Sequence, residues 1–145
     1  MCAGISIAGM SVATDDVSQT RFAGAAVSAM LDPDYAVRWK TGDGSFRLLS
    51  GAEIIAIATA VRAHVQACYD READLLSDAL HRARDAGDTG TELRCTYNLA
   101  ANRFYAGRLA EAADTATAGL ALAARAGLTW STYGVELRLF EEIVR

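Results

Sequence analysis

Two side chains in the middle of the chain have the spacing of a metal site or of an activated nucleophile. His64 and Cys68 are four residues apart, which would place both on one face of a helix. The only other histidine is His81, and no pattern in the sequence supplies a third and a fourth ligand. A cysteine nucleophile would also need a group that orients the imidazole, and the sequence places none. We therefore predict no metal site, no cofactor and no catalytic residue.

Two further segments could carry chemistry, and both have a structural explanation. Gly42-Asp43-Gly44 lacks the Lys-Ser/Thr pair of a phosphate loop and is typical of a hairpin turn. Asp15 and Asp16 are neighbouring carboxylates before a helical pattern, where helix capping explains them. We expect a protein that is not an enzyme.

The composition indicates a helix-rich chain, and its charge does not indicate any class of partner. The 145 residues include 30 alanines, and the net charge of −4 excludes nucleic-acid binding through overall charge. No segment reaches the roughly 20 apolar residues of a membrane span, and no basic residue precedes Asp15, so we expect no signal peptide and a cytoplasmic protein. Three cysteines without a CxxC pair favour buried or surface thiols over a disulfide framework.

Residues 1–50 alternate between strand and turn patterns. Apolar residues at every second position around Ala8-Gly9 predict a short hairpin, and a helix capped by Asp15 or Thr14 is predicted to run to about Met30. A second hairpin is predicted on either side of Gly42-Asp43-Gly44. In it, Val37 and Trp39 would face one side and Arg38 and Lys40 the other.

One long helix is predicted after this module, over residues 51–87. Ser50 and Glu53 form a capping box, and an apolar stripe at helical spacing continues to Gly87. Glu72 interrupts the stripe, so a break within residues 70–78 is an open alternative. Pairing of this helix with a second copy would give a homo-oligomer.

The order of motifs between Gly4 and Leu80 resembles a family. The segments GISIAGMSVATDDVSQTRFAGA and VRWKTGDGSFRLLSGAEIIAIATAVRAHVQACYDREADLL are similar to a domain of unknown function found in phage and prophage tail proteins. The resemblance implies a phage-tail context, with tail components as partners and virion association as an alternative to the cytoplasm. It implies no catalytic residue.

The last part of the chain, from Leu76 to Arg145, repeats at a fixed spacing. Leu80 and Gly87 align with Leu120 and Gly127, which is typical of stacked helix pairs. Thr89 and Glu92 form a second capping box that opens a helix to about Ala106; further helices are predicted over residues 109–126 and from residue 129 onward.

This part resembles tetratricopeptide repeats of the kind found in LuxR-type ATPase regulators. The similar run is AGDTGTELRCTYNLAANRFYAGRLAEAADTATAGLALAARAGL. In such repeats the first helix of each pair lines a groove that binds a protein or peptide partner. The resemblance therefore implies that four side chains face such a partner: Arg94, Tyr97, Asn98 and Arg138. The alternative is that Tyr97 is a core residue and Arg94 a solvated helix charge.

Four other large side chains in this part are expected in the core. They are Leu99, Phe104, Tyr105 and Trp130. The alanines are expected at close helix contacts, where only small side chains fit.

Together these patterns predict an α+β fold that is mostly α. It consists of a module of small hairpins and one helix (1–50), a connecting helix (51–87) and antiparallel tetratricopeptide-like helix pairs (88–145). The favoured function is a non-enzymatic structural or interaction protein that joins a phage-tail-like module to a protein-binding scaffold. The alternative is a peptide- or protein-binding repeat module, a fragment of a transcriptional regulator, with no role in a virion. No nucleic-acid or membrane partner is predicted.

Overall fold

The computed structural model describes residues 4–144 and confirms a mostly α, α+β fold that is 70% helical. The elements in chain order are β1 (Ile5–Ile7), β2 (Met10–Val12), α1 (Asp16–Leu31), β3 (Ala36–Lys40), β4 (Phe46–Ser50), α2 (Gly51–Asp85), α3 (Thr89–Tyr105), α4 (Leu109–Arg125) and α5 (Thr132–Val144). In the described part of the chain, every helix is too short or too polar to cross a membrane.

The chain divides into two compact units, and the division falls inside α2. The first unit ends at Cys68 and holds both hairpins, α1 and the first half of α2. The second begins at Tyr69 and holds the rest of α2 with α3, α4 and α5.

Both predicted hairpins are present in the first unit. β1 pairs with β2 across a two-residue turn in which Ala8 and Gly9 have φ angles of +49° and +74°, the left-handed geometry of a type I′ turn. β3 pairs antiparallel with β4. The alternation along β3 is as predicted, since Val37 and Trp39 are half-buried and their neighbours on the strand are exposed.

Helix α1 packs against the second hairpin through Phe22. Asp15 is the N-cap and accepts a hydrogen bond from the Ser18 amide at 3.0 Å. The ring of Phe22 stacks on that of Trp39 with centroids 4.2 Å apart. Among the described residues of the first unit, the buried apolar side chains are Met10, Val12, Phe22, Ala25, Leu49, Ile54, Ile57, Val61 and Val65.

Helix α2 is one continuous helix of 35 residues, without a break in residues 70–78. Its predicted capping box forms: the Ser50 amide donates to Glu53 Oε2 at 2.9 Å, and the Glu53 amide donates to Ser50 Oγ at 3.4 Å.

In the second unit three helices end in one repeated motif. Gly87, Gly107 and Gly127 have φ angles of +67°, +79° and +69°, a conformation that glycine adopts without strain. At each end the amide of the next residue donates to a carbonyl five residues back, at 2.9, 2.8 and 2.8 Å. The three glycines are evenly spaced along the chain. The backbone therefore makes the same turn at regular intervals, at the ends of α2, α3 and α4.

Small residues line the contacts among α3, α4 and α5, as predicted. Ala100, Ala112, Ala116 and Ala123 are completely buried. They pack with the large side chains Leu93, Leu137 and Phe140 in one cluster. A second cluster joins Leu80 on α2 to Cys95 and Leu99 on α3.

Helix α3 begins at Thr89 as predicted, but its predicted cap and the predicted start of α5 are wrong. Asp88, not Thr89, caps α3, because its carboxylate accepts the Thr91 amide at 3.0 Å; Glu92 pairs instead with Arg84 at 2.8 Å. Helix α5 starts at Thr132 and not at residue 129, because residues 128–131 form a turn in which the Ser131 amide donates to the Leu128 carbonyl at 3.0 Å.

A buried amide ties α3 to the second half of α2. Asn102 is 4% exposed, and its Nδ2 donates to the Tyr69 carbonyl at 3.0 Å and to Glu72 Oε2 at 2.8 Å. Its Oδ1 accepts from Arg108 at 3.3 Å.

We expect Asn102→Ala to lower the free energy of unfolding by about 1–3 kcal/mol, because it leaves a backbone carbonyl and a carboxylate without their donor. Asn98→Ala, one turn earlier on the exposed side of α3, is the control and should change it by less than about 0.5 kcal/mol. Urea unfolding measures both. Equal values for the two variants would contradict the role of this amide.

Candidate functional site: a partner groove on α3 and α5

The candidate residues on α3 occupy one side of the helix. Arg94 and Asn98 are one turn apart and exposed, and Tyr97 between them is half-buried. Helix α3 contacts both α4 and α5, so only part of its surface is open to a partner.

Tyr97 belongs to an aromatic cluster between α3 and α5. Its ring centroid lies 6.0 Å from that of Tyr133 and 6.2 Å from that of Phe140. Burial and then the nearby carboxylate of Glu136, with which the hydroxyl forms a hydrogen bond, raise the pKa of Tyr97. The phenol therefore stays protonated as a donor to Glu136, and Tyr97 holds α5 against α3.

Arg138 lies in a different local setting from Arg94. Its guanidinium carbon is 5.6 Å from the centroid of the Trp130 ring, a cation–π contact. Trp130 is 83% exposed, so the Arg138–Trp130 pair lies on the protein surface.

Arg94 lines an open cleft of about 400 Å³ between the first turns of α3 and α5. Its other walls include Asp88, Thr91, Ser131 and Tyr133. The Asp88 carboxylate is committed to the helix cap, which lowers its pKa through the hydrogen bonds from Thr91. A guanidinium beside hydroxyl groups can bind a carboxylate of a peptide.

The structure therefore brings Arg94 to a cleft, buries much of Tyr97 and places Arg138 over the Trp130 ring and not in the lining of that cleft. Sequence reasoning missed the cleft walls Asp88 and Ser131. Ser131 Oγ accepts the Gly134 amide at 3.2 Å, and a Ser-x-x-Gly pattern before an apolar run is the local signal that could have marked this helix start.

Two of the expected core residues are instead exposed. Tyr105 is 68% exposed and Trp130 is 83% exposed, whereas Leu99 is buried, as predicted, at 6%. Phe104 is partly buried and packs edge to face with Phe140 at 5.7 Å. Tyr105 follows Phe104 directly, and adjacent helix positions point in different directions.

The pair His64 and Cys68 lies close together as its spacing predicts. Cys68 Sγ is 3.8 Å from His64 Nε2. Cys68 is disulfide-bonded, which corrects the expectation of a free thiol, and so it supplies no thiolate for a metal or for nucleophilic attack. Cys95 is free and buried. Among residues 4–144, no three His, Cys, Asp or Glu side chains are grouped so that they could hold a metal ion.

Asp43 at the tip of the second hairpin stabilises the turn through hydrogen bonds to its carboxylate. Its carboxylate accepts hydrogen bonds from the Thr41 hydroxyl, from the Ser45 amide at 3.0 Å and from the Ser45 hydroxyl at 2.8 Å. These bonds, the one from Thr41 foremost, lower the pKa of Asp43 from 3.8 to about 2.

We expect the Asp43 carboxyl to titrate near pH 2 in a carbon-13 NMR titration, well below its ordinary value of 3.8. Because the folded-state pKa is the lower one, the stabilisation by this carboxylate is complete above pH 3.8 and is lost as the pH falls towards 2. Asp43→Asn should remove that part of the pH dependence. A midpoint near the ordinary value would contradict the turn geometry.

A family model matches residues 1–93 and carries the description domain of unknown function (DUF4376). The chain belongs to this family. The DUF4376 match includes both hairpins, α1, α2 and the start of α3. It contains Asp43, His64 and Cys68, whereas all four groove candidates lie beyond it. Searches of curated proteins and of solved structures gave no match.

Proposed function

We propose that the chain is a non-enzymatic structural or interaction protein. A DUF4376 module of the phage-tail kind continues through α2 into a tetratricopeptide-like scaffold that binds a protein or peptide. The cytoplasm is its site of synthesis, and tail components are its partners.

The observation that carries this proposal is the repeated helix end at Gly87, Gly107 and Gly127. Turns of the same kind at a constant spacing end α2, α3 and α4, and the two helices between these turns, α3 and α4, each have 17 residues. Such regular stacking is the construction principle of repeat scaffolds, which recognise partners through the surfaces of successive helices. The first unit supports the phage-tail part through the motif order of its hairpins and of α2.

Affinity purification from an induced lysogen tests the phage-tail part. We expect a tagged full-length chain to recover a tail component. Recovery of no virion or tail protein would contradict this part of the proposal and leave the scaffold part standing.

A second candidate is a peptide- or protein-binding repeat module without a role in a virion. The cleft at Arg94 favours it, because a guanidinium beside hydroxyl groups fits a carboxylate.

Under this second candidate, Arg94→Ala and Asn98→Ala should both weaken the binding of a peptide acid and leave the chain folded, Arg94→Ala by about tenfold because its guanidinium lines the cleft. Arg125→Ala, an exposed arginine at the end of α4, is the matched control. Isothermal titration with a peptide acid and with its amide measures the loss. Unchanged affinity in both variants would exclude this groove.

A further inference from the structure

Among residues 4–144, no strand pairs with the outer edge of β3, so backbone groups along this edge are not covered by a strand. Thr41 and Tyr35 are paired towards β4, since the Thr41 amide donates to the Ser45 carbonyl at 2.9 Å and the Gly51 amide donates to the Tyr35 carbonyl at 2.8 Å. Pairing alternates along an antiparallel ladder. The backbone N–H and C=O groups of Arg38 and Lys40 therefore point away from β4.

A cleft of about 460 Å³ runs along this edge. Residues 37–42 form one wall, and residues 11–13 of the first hairpin form part of the other. The walls approach each other at Gly42, where a Cβ atom would lie 3.8 Å from the Ser11 carbonyl oxygen. The edge therefore faces an open space closed at one end.

The charge of this cleft is positive, against the net charge of −4 of the whole chain. Arg21, Arg38 and Lys40 line it, and no acidic residue does so in the described part of the chain. Within residues 4–144 these three cations form no ion pair; Arg38 stands over the Phe46 ring at 5.5 Å.

The outer face of the hairpin adds apolar surface beside these cations. Phe46 and Leu48 on β4 are 60% and 67% exposed. They lie opposite Lys40 and Arg38 in the strand register. This face therefore alternates charge with large apolar groups.

We propose that the free edge of β3 binds an acidic peptide segment in extended conformation, which adds a third strand to the β3–β4 hairpin. Main-chain hydrogen bonds to Arg38 and Lys40 hold the segment, and its acidic side chains lie beside the two cations. This surface is independent of the helical groove and lies within the DUF4376 match.

The positive charge of this edge also argues against a second copy of the chain as the strand that binds there. Antiparallel pairing of β3 with β3 would bring the Arg38 and Lys40 side chains of both copies together, and like charges across a ladder are destabilising. Cations on an edge strand keep identical edges apart, and the same cations attract an acidic strand.

The test uses the full chain in a Trp130→Phe background, so that Trp39 is the one tryptophan that reports binding. The probe is a capped peptide of alternating glutamate and valine, titrated at low salt; the same peptide with lysine for glutamate is the comparison. We expect the glutamate peptide to bind and to change Trp39 fluorescence, and the lysine peptide not to bind. No binding of the glutamate peptide at millimolar concentration would overturn the proposal.

Two pairs of variants distinguish the contribution of side-chain charge to peptide binding from that of backbone hydrogen bonds. The double variant Arg38→Glu, Lys40→Glu should bind roughly tenfold more weakly. The double variant Arg71→Glu, Arg125→Glu changes the net charge equally at exposed helix positions and should bind normally. Lys40→Ala and Lys40→Pro both remove the ammonium group, but only proline removes the outward N–H, so Lys40→Pro should bind more weakly.

Equal affinity of Lys40→Ala and Lys40→Pro would overturn strand addition. A concentration-dependent dimer in sedimentation that Lys40→Pro dissociates would assign the edge to a second copy and would also overturn it. Circular dichroism of each variant checks that the hairpin still folds.

Discussion

Gly134→Ala should destabilise the helical unit by at least about 3 kcal/mol, although it adds one methyl group. Gly134 lies in the first turn of α5, and a Cβ atom there would lie 2.3 Å from the Leu128 carbonyl oxygen and 2.9 Å from that of Thr129. Both contacts are to backbone, so no side-chain rotation relieves them. The turn before α5 or the helix itself has to move.

Gly90→Ala is the matched control for this effect. Gly90 also lies in a first helical turn of the second unit, but the atom closest to an added Cβ is the Asp88 carboxylate oxygen at 3.5 Å, an ordinary contact. Replacing a helical glycine by alanine then gains roughly 0.5–1 kcal/mol. Thermal unfolding followed by circular dichroism should therefore shift in opposite directions for the two variants. A Gly134→Ala protein as stable as the wild type would contradict the described path of residues 128–134.

Leu137→Ala has the second largest expected effect, a loss of about 2–5 kcal/mol in the free energy of unfolding. Leu137 is completely buried and belongs to the cluster that α3, α4 and α5 share. Leu139, two positions further along α5, is 58% exposed. Leu139→Ala should cost less than about 1 kcal/mol, because little apolar surface is lost. Similar losses for the two variants in urea unfolding would show that α5 packs through a different face.

The contact between α4 and α5 allows a sharper test of the same packing. A Cβ atom on Gly119 would lie 2.8 Å from Leu137 Cδ1 and 2.9 Å from the Thr96 methyl carbon. Gly119→Ala should therefore destabilise the wild type, and less so when Leu137→Ala has removed one of the two clashing groups. A double-mutant cycle measures this coupling. Strictly additive effects would contradict the contact.

Local sequence signals predict the elements of the first unit. The Ser50 and Glu53 capping box and the alternation of Val37 and Trp39 against their neighbours depend on residues within a few positions of one another, and both are confirmed. The periodicity that defines α2 is equally local and predicts its length.

Features set by tertiary contacts are the ones that sequence reasoning misses or places wrongly. Asn102 bonds to the Tyr69 carbonyl on another helix, and no local pattern marks that partner. The large apolar side chain of Trp130 predicts a core position, but the structure leaves it exposed. Its burial would require another helix to pack against it, which no local pattern in the sequence determines. At the start of α3, Asp88 and Thr89 are both capable caps, and only the backbone geometry decides between them.

The candidate groove is predictable only in part for the same reason. The resemblance to tetratricopeptide repeats indicates three side chains on α3 and Arg138 on α5, and of these Arg94 lines a cleft. The rest of the cleft comes from the turn before α5 and from the cap of α3. Arg138 does not line this cleft, and its guanidinium lies over the Trp130 ring.

A quantitative capture experiment in an induced lysogen tests the proposed interaction function most directly. The wild-type chain is compared with a variant in which both proposed surfaces are altered, by Arg38→Glu and Lys40→Glu on β3 and by Arg94→Ala and Asn98→Ala on α3. An interaction protein of the phage-tail kind should enrich a tail component with the wild type and lose most of it with the variant. Recovery of no tail component by the wild type would contradict the phage-tail part of the proposed function, and equal recovery by both chains would contradict binding through these two surfaces.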